Sequence, residues 1–235
     1  MILCSATRTQ ANLSDRRSRK ALVVGGSIGG LFAALLLRQR GWDVHVSERV
    51  PTSLSGRGAG IVTQPPLWRI LDMLGLDPHR NFGVAVERRL TLARDGSVQG
   101  TLHCPQVMTA WDRLFSMLRA EWPAERYTLG EELRGIDQQD GGVVATFRNG
   151  MQRFANLLIG ADGFRSTVRT LAMGDIPPRY AGYVAWRGLV PESAIPADAY
   201  AMLGGVFGFC LPEGEQMLGY LVAGEDNDLR PGHRR

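Results

Sequence analysis

Cysteine is scarce in this chain: Cys4, Cys104 and Cys210 lie far apart and none belongs to a CxxC pair. That argues against a structural zinc site and for a reducing, cytoplasmic compartment. The four histidines are widely scattered, so no metal centre is expected, and no Ser/His/Asp order supports a nucleophilic enzyme. Charge of one sign is equally thin. The 27 basic side chains barely exceed the 23 acidic ones, and "RRSRK" at Arg16–Lys20 is the longest basic block, so no nucleic-acid partner is expected. A membrane-spanning run is missing too. Ala21–Leu37 is nearly all apolar, but its 17 residues include four glycines and Ser27, and a bilayer needs about 20. No small-x-small cleavage site closes that run, which argues against a signal peptide.

What the chain has is a core's worth of apolar residues and an excess of glycine. With 235 residues, 44% of them hydrophobic, it can fill one domain or two small ones. Its 29 glycines exceed the usual share of about 7%, which points to backbone freedom near turns or a ligand. The stretch "KALVVGGSIGGLFAALLLRQRGWDVHVSER" at Lys20–Arg49 uses that freedom. Ala21–Val24 reads as a short buried strand, Ile28–Gln39 as a helix stopped by Gly41, and Val44 and Val46 as one face of a second strand ending near Glu48. In this β-α-β unit Gly25 permits a tight exit from the first strand and Gly30 a close approach of helix to strand. The helix N-terminal amides then point at an anion such as a pyrophosphate. Glu48, 23 residues after Gly25, is placed to accept hydrogen bonds from an adenosine ribose, and its charge argues against a 2'-phosphate there. Ser27 occupies the middle glycine position of G-x-G-x-x-G, where its hydroxyl can donate to phosphate. A plain structural β-α-β unit remains the alternative at this point.

In the loop "PTSLSGRGAGIVTQP", Gly58, Ala59 and Gly60 have too little side chain to block a bulky cofactor. Arg49 and Arg57 either balance phosphate charge or simply face solvent. A helix is expected from about Pro66 to Leu74, strands over Val84–Ala93 and Ser97–His103, and a helix over Ala110–Glu121 with Leu114 and Leu118 on one face. Val143–Arg148 and Arg153–Ile159 read as a hairpin around "NGMQ". Tyr180–Glu192 and Ala201–Gly224 read as sheet strands, with Tyr183, Trp186, Phe207, Phe209 and Tyr220 mainly core candidates. Arg187 either meets an anionic group or finishes a sheet edge.

Three stretches in order, "VVGGSIGGLFAALLLRQRGWDVHVSER", "LSGRGAGIVTQP" and "LLIGADGFRSTVR", carry a resemblance. The chain resembles the group A FAD-dependent aromatic monooxygenases, and among them the dihydroxypyridine or hydroxynicotinate type of hydroxylase. The resemblance implies an α/β fold: a Rossmann-like FAD-binding domain over 20–78 and 106–176, interleaved with a partial β-sheet substrate domain over 79–105 and 177–225. Residues 1–19 would then be a flexible extension and 226–235 a tail. It implies FAD as cofactor, held by Gly25, Ser27, Gly30, Glu48, Arg49, Gly58, Gly60 and Asp162. Asp162 and Gly163 would organise the pyrophosphate loop, with Arg165, Ser166 and Arg169 completing the motif; a purely structural Asx turn is the other reading. NADH or NADPH would serve as reductant, and an aromatic or N-heteroaromatic small molecule and O2 as substrates, by way of a flavin C4a-hydroperoxide. The resemblance allows a homodimer for a complete protein.

Two departures matter. Where many relatives place an arginine early in the helix after the strand pair, this chain has Trp111, so that cofactor contact is not carried over. Nothing after Gly163 matches the second Gly-Asp flavin motif of full-length members, so a C-terminally shortened scaffold with an exposed apolar edge is expected. A partial flavin-binding module without turnover, and an oxidoreductase using NAD alone, stay open as rival readings. No catalytic residue is assigned.

Overall fold

The computed structural model describes residues 19–56, 59–77 and 82–235. In chain order the first elements are β1 (Lys20–Val24), α1 (Ile28–Gln39), β2 (Asp43–Glu48), β3 (Gly60–Val62) and α2 (Pro65–Met73). They are followed by β4 (Val84–Leu92), β5 (Val98–Ala110), α3 (Trp111–Ala120), β6 (Tyr127–Leu129), β7 (Leu133–Gln139), β8 (Gly142–Phe147), β9 (Gln152–Ala155), β10 (Leu157–Gly160) and α4 (Thr167–Met173). The last are α5 (Ala197–Leu203), β11 (Val206–Cys210) and β12 (Met217–Gly219).

These strands form a parallel sheet ordered β10-β1-β2-β6, a mixed sheet ordered β12-β11-β4-β5-β3, and an antiparallel sheet ordered β7-β8-β9. The parallel sheet is buried on both faces, which is why β1 is almost wholly apolar. Strand alternation divides its side chains between two cores. Ala21 and Val23 join Leu31, Ala34 and Leu35 of α1 and Leu114, Phe115 and Leu118 of α3. Leu22 and Val24 face the antiparallel sheet through Leu133, Ala145, Phe147 and Ala155. The i, i+3, i+4 spacing of Leu31, Ala34 and Leu35 lays one stripe of α1 on the sheet. Gly41, at φ 81°, ends that helix.

Three expectations need correction. The segment 153–159 is not one strand. β9 pairs antiparallel with β8, whereas β10 pairs parallel with β1. Asn156 is the joint: its amide N–H and side-chain carbonyl bond to the backbone of Lys20 at 2.8 and 2.9 Å, and its side-chain amide donates to the Gly141 carbonyl at 2.9 Å. Next, the strand expected to stop at His103 runs on to Ala110, because a bulge around Pro105 absorbs the residue that cannot donate to the ladder. Finally, 180–190 has no strand partner. Tyr183 and Trp186 are 69% and 94% exposed, so neither is a core residue. Phe207 is buried and packs with Phe209 and Tyr220 on the mixed sheet.

The C-terminal residues are tied in. Arg235 and Val222 exchange backbone hydrogen bonds, and Glu192, 5% exposed, accepts from the backbone N–H groups of Gly232 and Arg234 and from both sides of the Arg234 guanidinium.

Candidate functional site

The carboxyl ends of β1, β2 and β10 open into a cleft of about 350 Å³. In open parallel sheets this is where ligands bind, because the loops leaving the strands diverge there. Its wall includes Gly25, Ser27, Glu48, Arg49, Asp162 and Gly163, which are far apart in sequence.

The turn after β1 is built so that only glycine fits. Gly25 sits at φ 106°, and a Cβ on it would be driven into the backbone of Ala161 at the end of β10. A Cβ on Gly30 would run into the Gly25 carbonyl oxygen. The turn, the helix and the neighbouring strand therefore meet backbone to backbone. Ser27 is the N-cap of α1, yet its side chain makes no capping hydrogen bond. The first-turn amides of α1 lack intrahelical acceptors and the helix dipole favours an anion there.

Glu48 is 6% exposed. One carboxylate oxygen accepts from the Gly26 amide at 2.8 Å and the other from the Val50 amide at 2.9 Å. Each oxygen keeps a further lone pair for a ligand hydroxyl. Arg49 is exposed at the rim of the cleft. Across it, Asp162 accepts from the Ser166 hydroxyl at 2.5 Å and the Val168 amide at 3.1 Å, while Ser166 caps α4 through the Arg169 amide at 2.9 Å. The aspartate thereby fixes the loop between β10 and α4.

Gly60 is not in this wall. It lies on β3 with its α-carbon against the Tyr220 ring, where a Cβ would collide. Gly58 and Arg57 lie outside the described residues.

Sequence reasoning missed the floor of the cleft. Glu131, 2% exposed, lines it and is held by the Ser47 hydroxyl at 2.6 Å and by two nitrogens of Arg153 at 2.6 and 3.2 Å. His45 lies beside this group, bonded to the Thr128 hydroxyl at 2.9 Å; burial, and then the Arg153 charge, lower its pKa. Tyr127 donates its hydroxyl to the Gly26 carbonyl at 2.8 Å, and burial, aided by the Glu48 charge, pushes its pKa up to about 12. It stays a neutral donor that pins the glycine turn from below. These residues belong to no local motif. Ser47 stands between Val46 and Glu48 in β2 and gives no local sign of the partner it meets.

The described residues include no cluster of metal-ligating side chains and no helix long and apolar enough to cross a membrane.

A family model described as "FAD binding domain" matches residues 18–183, and one described as "FAD binding domain-like" matches 180–235. The chain belongs to the FAD-binding-domain family. Within it, the chain is 36% identical to the 2,6-dihydroxypyridine 3-monooxygenase of Paenarthrobacter nicotinovorans, over 89% of this chain and 52% of that protein. The solved 2,6-dihydroxypyridine-3-hydroxylase from Arthrobacter nicotinovorans superposes with a TM-score of 0.82 at 36% identity, covering 89% of this chain and 53% of the other. Klebsiella pneumoniae HpxO, solved with FAD and uric acid, gives 0.75 at 28% identity over 91% of this chain and 56% of its own. The chain thus spans about half the length of the relatives it matches. Its architecture is that of the family: an α/β FAD-binding unit joined to a mixed β-sheet.

Proposed function

We propose that the cleft binds FAD and that the protein hydroxylates an aromatic or N-heteroaromatic ring, using O2 and NADH or NADPH. The supporting observation is the convergence of the Gly25 turn, the open N-terminus of α1, the Glu48 carboxylate and the Asp162 loop on one cleft. Their chemistry fits the group. Glycine backbone and first-turn amides suit a pyrophosphate, and a half-satisfied buried carboxylate suits ribose hydroxyls.

In this reading Gly25, Ser27 and Gly30 shape the phosphate cradle, Glu48 accepts from the ribose, Arg49 stands at the adenosine rim, and Asp162 holds the loop that covers the phosphates. Residues 20–78 and 106–176 form the FAD-binding domain, and 79–105 with 177–225 form the substrate domain. When bound, FAD accepts a hydride from the nicotinamide and activates O2. Overall, a ring C–H, O2, NAD(P)H and a proton become a ring C–OH, water and NAD(P)+. Phe207, Phe209 and Tyr220, with the Arg89 guanidinium over both phenyl rings at 5.8 Å, give the mixed sheet an aromatic, cationic character suited to an electron-rich, anionic ring.

A second reading, a flavin-binding module without turnover, is favoured by one observation. The apolar residues of 180–190 lack a strand partner, so the walls that would exclude water from a reacting ring are unfinished. The experiment is an absorbance spectrum of the purified chain before and after denaturation, with mass identification of what is released, followed by NAD(P)H oxidation and product analysis with hydroxypyridines. FAD with hydroxylated product supports the first reading. FAD without product supports the second. A folded chain that takes up no FAD overturns both.

A further inference from the structure

Trp111 is the largest side chain lining the cleft, and neither the glycine motif nor the acid pair accounts for it. It opens α3, whose Leu114, Phe115 and Leu118 are buried, so it stands on a fixed support. Its ring lies nearly parallel to that of Phe115, centroids 5.0 Å apart at 10°. That stack covers one face of the indole and leaves the other uncovered by Phe115. No described group accepts its indole N–H, and its backbone is anchored by the Ala59 carbonyl at 2.9 Å. The next residue, Asp112, ties down the loop before β3 by accepting from the Gly56 amide at 2.6 Å.

The location selects what meets this ring. β5 of the mixed sheet runs directly into α3, so Trp111 stands where the nucleotide cleft meets the aromatic-bearing sheet. Glu48 and the α1 N-terminus take the ribose and phosphates in the reading above, and the reacting ring of the cofactor must lie towards the sheet that presents substrate. The cleft wall also carries Glu48, Glu131, Glu132 and Asp162 against a single described cation, Arg49. A flat, uncharged contact therefore suits it better than further charge pairing.

We propose that Trp111 stacks on the isoalloxazine ring of bound FAD, extending the Phe115–Trp111 stack by one layer, and so is a positioning residue for the flavin. The inference rests on the FAD reading. Stacking between an aromatic side chain and a planar heterocycle is strong enough for its removal to be read as a loss of about tenfold or more in affinity.

The test measures FAD and ADP affinities by calorimetry, and visible circular dichroism of the bound flavin, for the wild type and for Trp111→Phe, Trp111→Ala and Trp111→Arg. The expected result is a loss of about tenfold or more in FAD affinity for Trp111→Ala and Trp111→Arg, near-wild-type affinity for Trp111→Phe, a changed flavin dichroism, and unchanged ADP affinity throughout. Unchanged FAD affinity in Trp111→Ala would overturn the proposal, as would an equal loss for ADP and FAD, or tighter FAD binding by Trp111→Arg. Trp111→Phe, which keeps the stack on Phe115, guards against reading a folding defect as a lost contact. A wild type that binds ADP but not FAD overturns the FAD reading itself, an outcome separate from the others.

Discussion

Adjacent glycines in the first turn of α1 should respond oppositely to the same substitution. Gly29 is exposed and an added Cβ would meet nothing within 4 Å, whereas Gly30 is buried and its Cβ would be driven into the Gly25 carbonyl oxygen. Alanine outranks glycine in a helix by up to about 1 kcal/mol. Gly29→Ala should therefore stabilise the apo protein by a few tenths to about 1 kcal/mol. Gly30→Ala receives the same propensity gain but must push a methyl group into backbone, which has no rotamer to yield. Overpacking of that kind costs about 1–3 kcal/mol, and here it also displaces Gly25, which is held at φ 106° against Ala161. Because the propensity gain is common to both, the two variants should differ by about 1–3 kcal/mol. Urea unfolding resolves this, because with a slope of about 1–3 kcal/mol per molar the midpoints should separate by roughly 1 M. Gly30→Ala should also lose FAD affinity, since the shifted turn narrows the cradle. A Gly30→Ala protein as stable as Gly29→Ala would refute the claim that this glycine exists for close packing.

Other perturbations probe the parts that hold the turn. Glu131→Ala leaves Arg153 and Ser47 without their buried partner and should cost up to about 3–5 kcal/mol in urea unfolding; adding Arg153→Leu should recover part of it, and no recovery would count against the pair. Tyr127→Phe should cost about 1 kcal/mol by stranding the buried Gly26 carbonyl. Because the Tyr127 pKa is raised to about 12, its contribution is complete below the unfolded value near 10 and is lost as pH rises through 12; a pH–stability profile identical in Tyr127→Phe would contradict this. Glu192 is held down to about 2, chiefly by its bonds to Arg234, so its contribution is present above about pH 4.5 and is lost as pH falls towards 2. Arg234→Ala should shift acid unfolding to higher pH, and an unmoved acid midpoint would show that this clamp is idle.

The β-α-β unit could be read from sequence because each of its signals is local. β1 alternates between two cores from Ala21 on and so is apolar over Ala21–Val24, α1 repeats its apolar residues at helical spacing, and Gly25 and Glu48 sit at the strand ends where the chain turns. Asp162 was reached through the resemblance, and the partners it holds, Ser166 and Val168, lie only four and six residues on. Contacts made across the fold left no such trace. Tyr127 reaches Gly26 over 101 residues and Glu131 reaches Ser47 over 84. Asn156 divides what reads as a single strand because it bonds to Lys20, 136 residues earlier. Gly60 is instructive in the other direction: its small size was read as space for a cofactor, yet in the structure that space is taken by the Tyr220 ring.

The same distinction explains why 180–190 was misread. Its tyrosine, tryptophan and valine residues have strand propensity, but a strand is defined by its neighbour, and β-propensity records only fitness for a half-buried pleated surface. With Tyr180, Tyr183, Val184 and Trp186 all more than two-thirds exposed, that surface is present and its cover is not. Propensity and environment disagree over these residues. The disagreement also bears on function. Phe207 and Tyr220 pack together on the mixed sheet, and Glu48 and Asp162 at the cleft have their own hydrogen-bond partners, whereas 180–190 pairs with no strand. Under the proposed function, cofactor binding and ring hydroxylation should accordingly be separable, the first depending on the Gly25–Glu48–Asp162 cleft and the second on burial of the 180–190 segment.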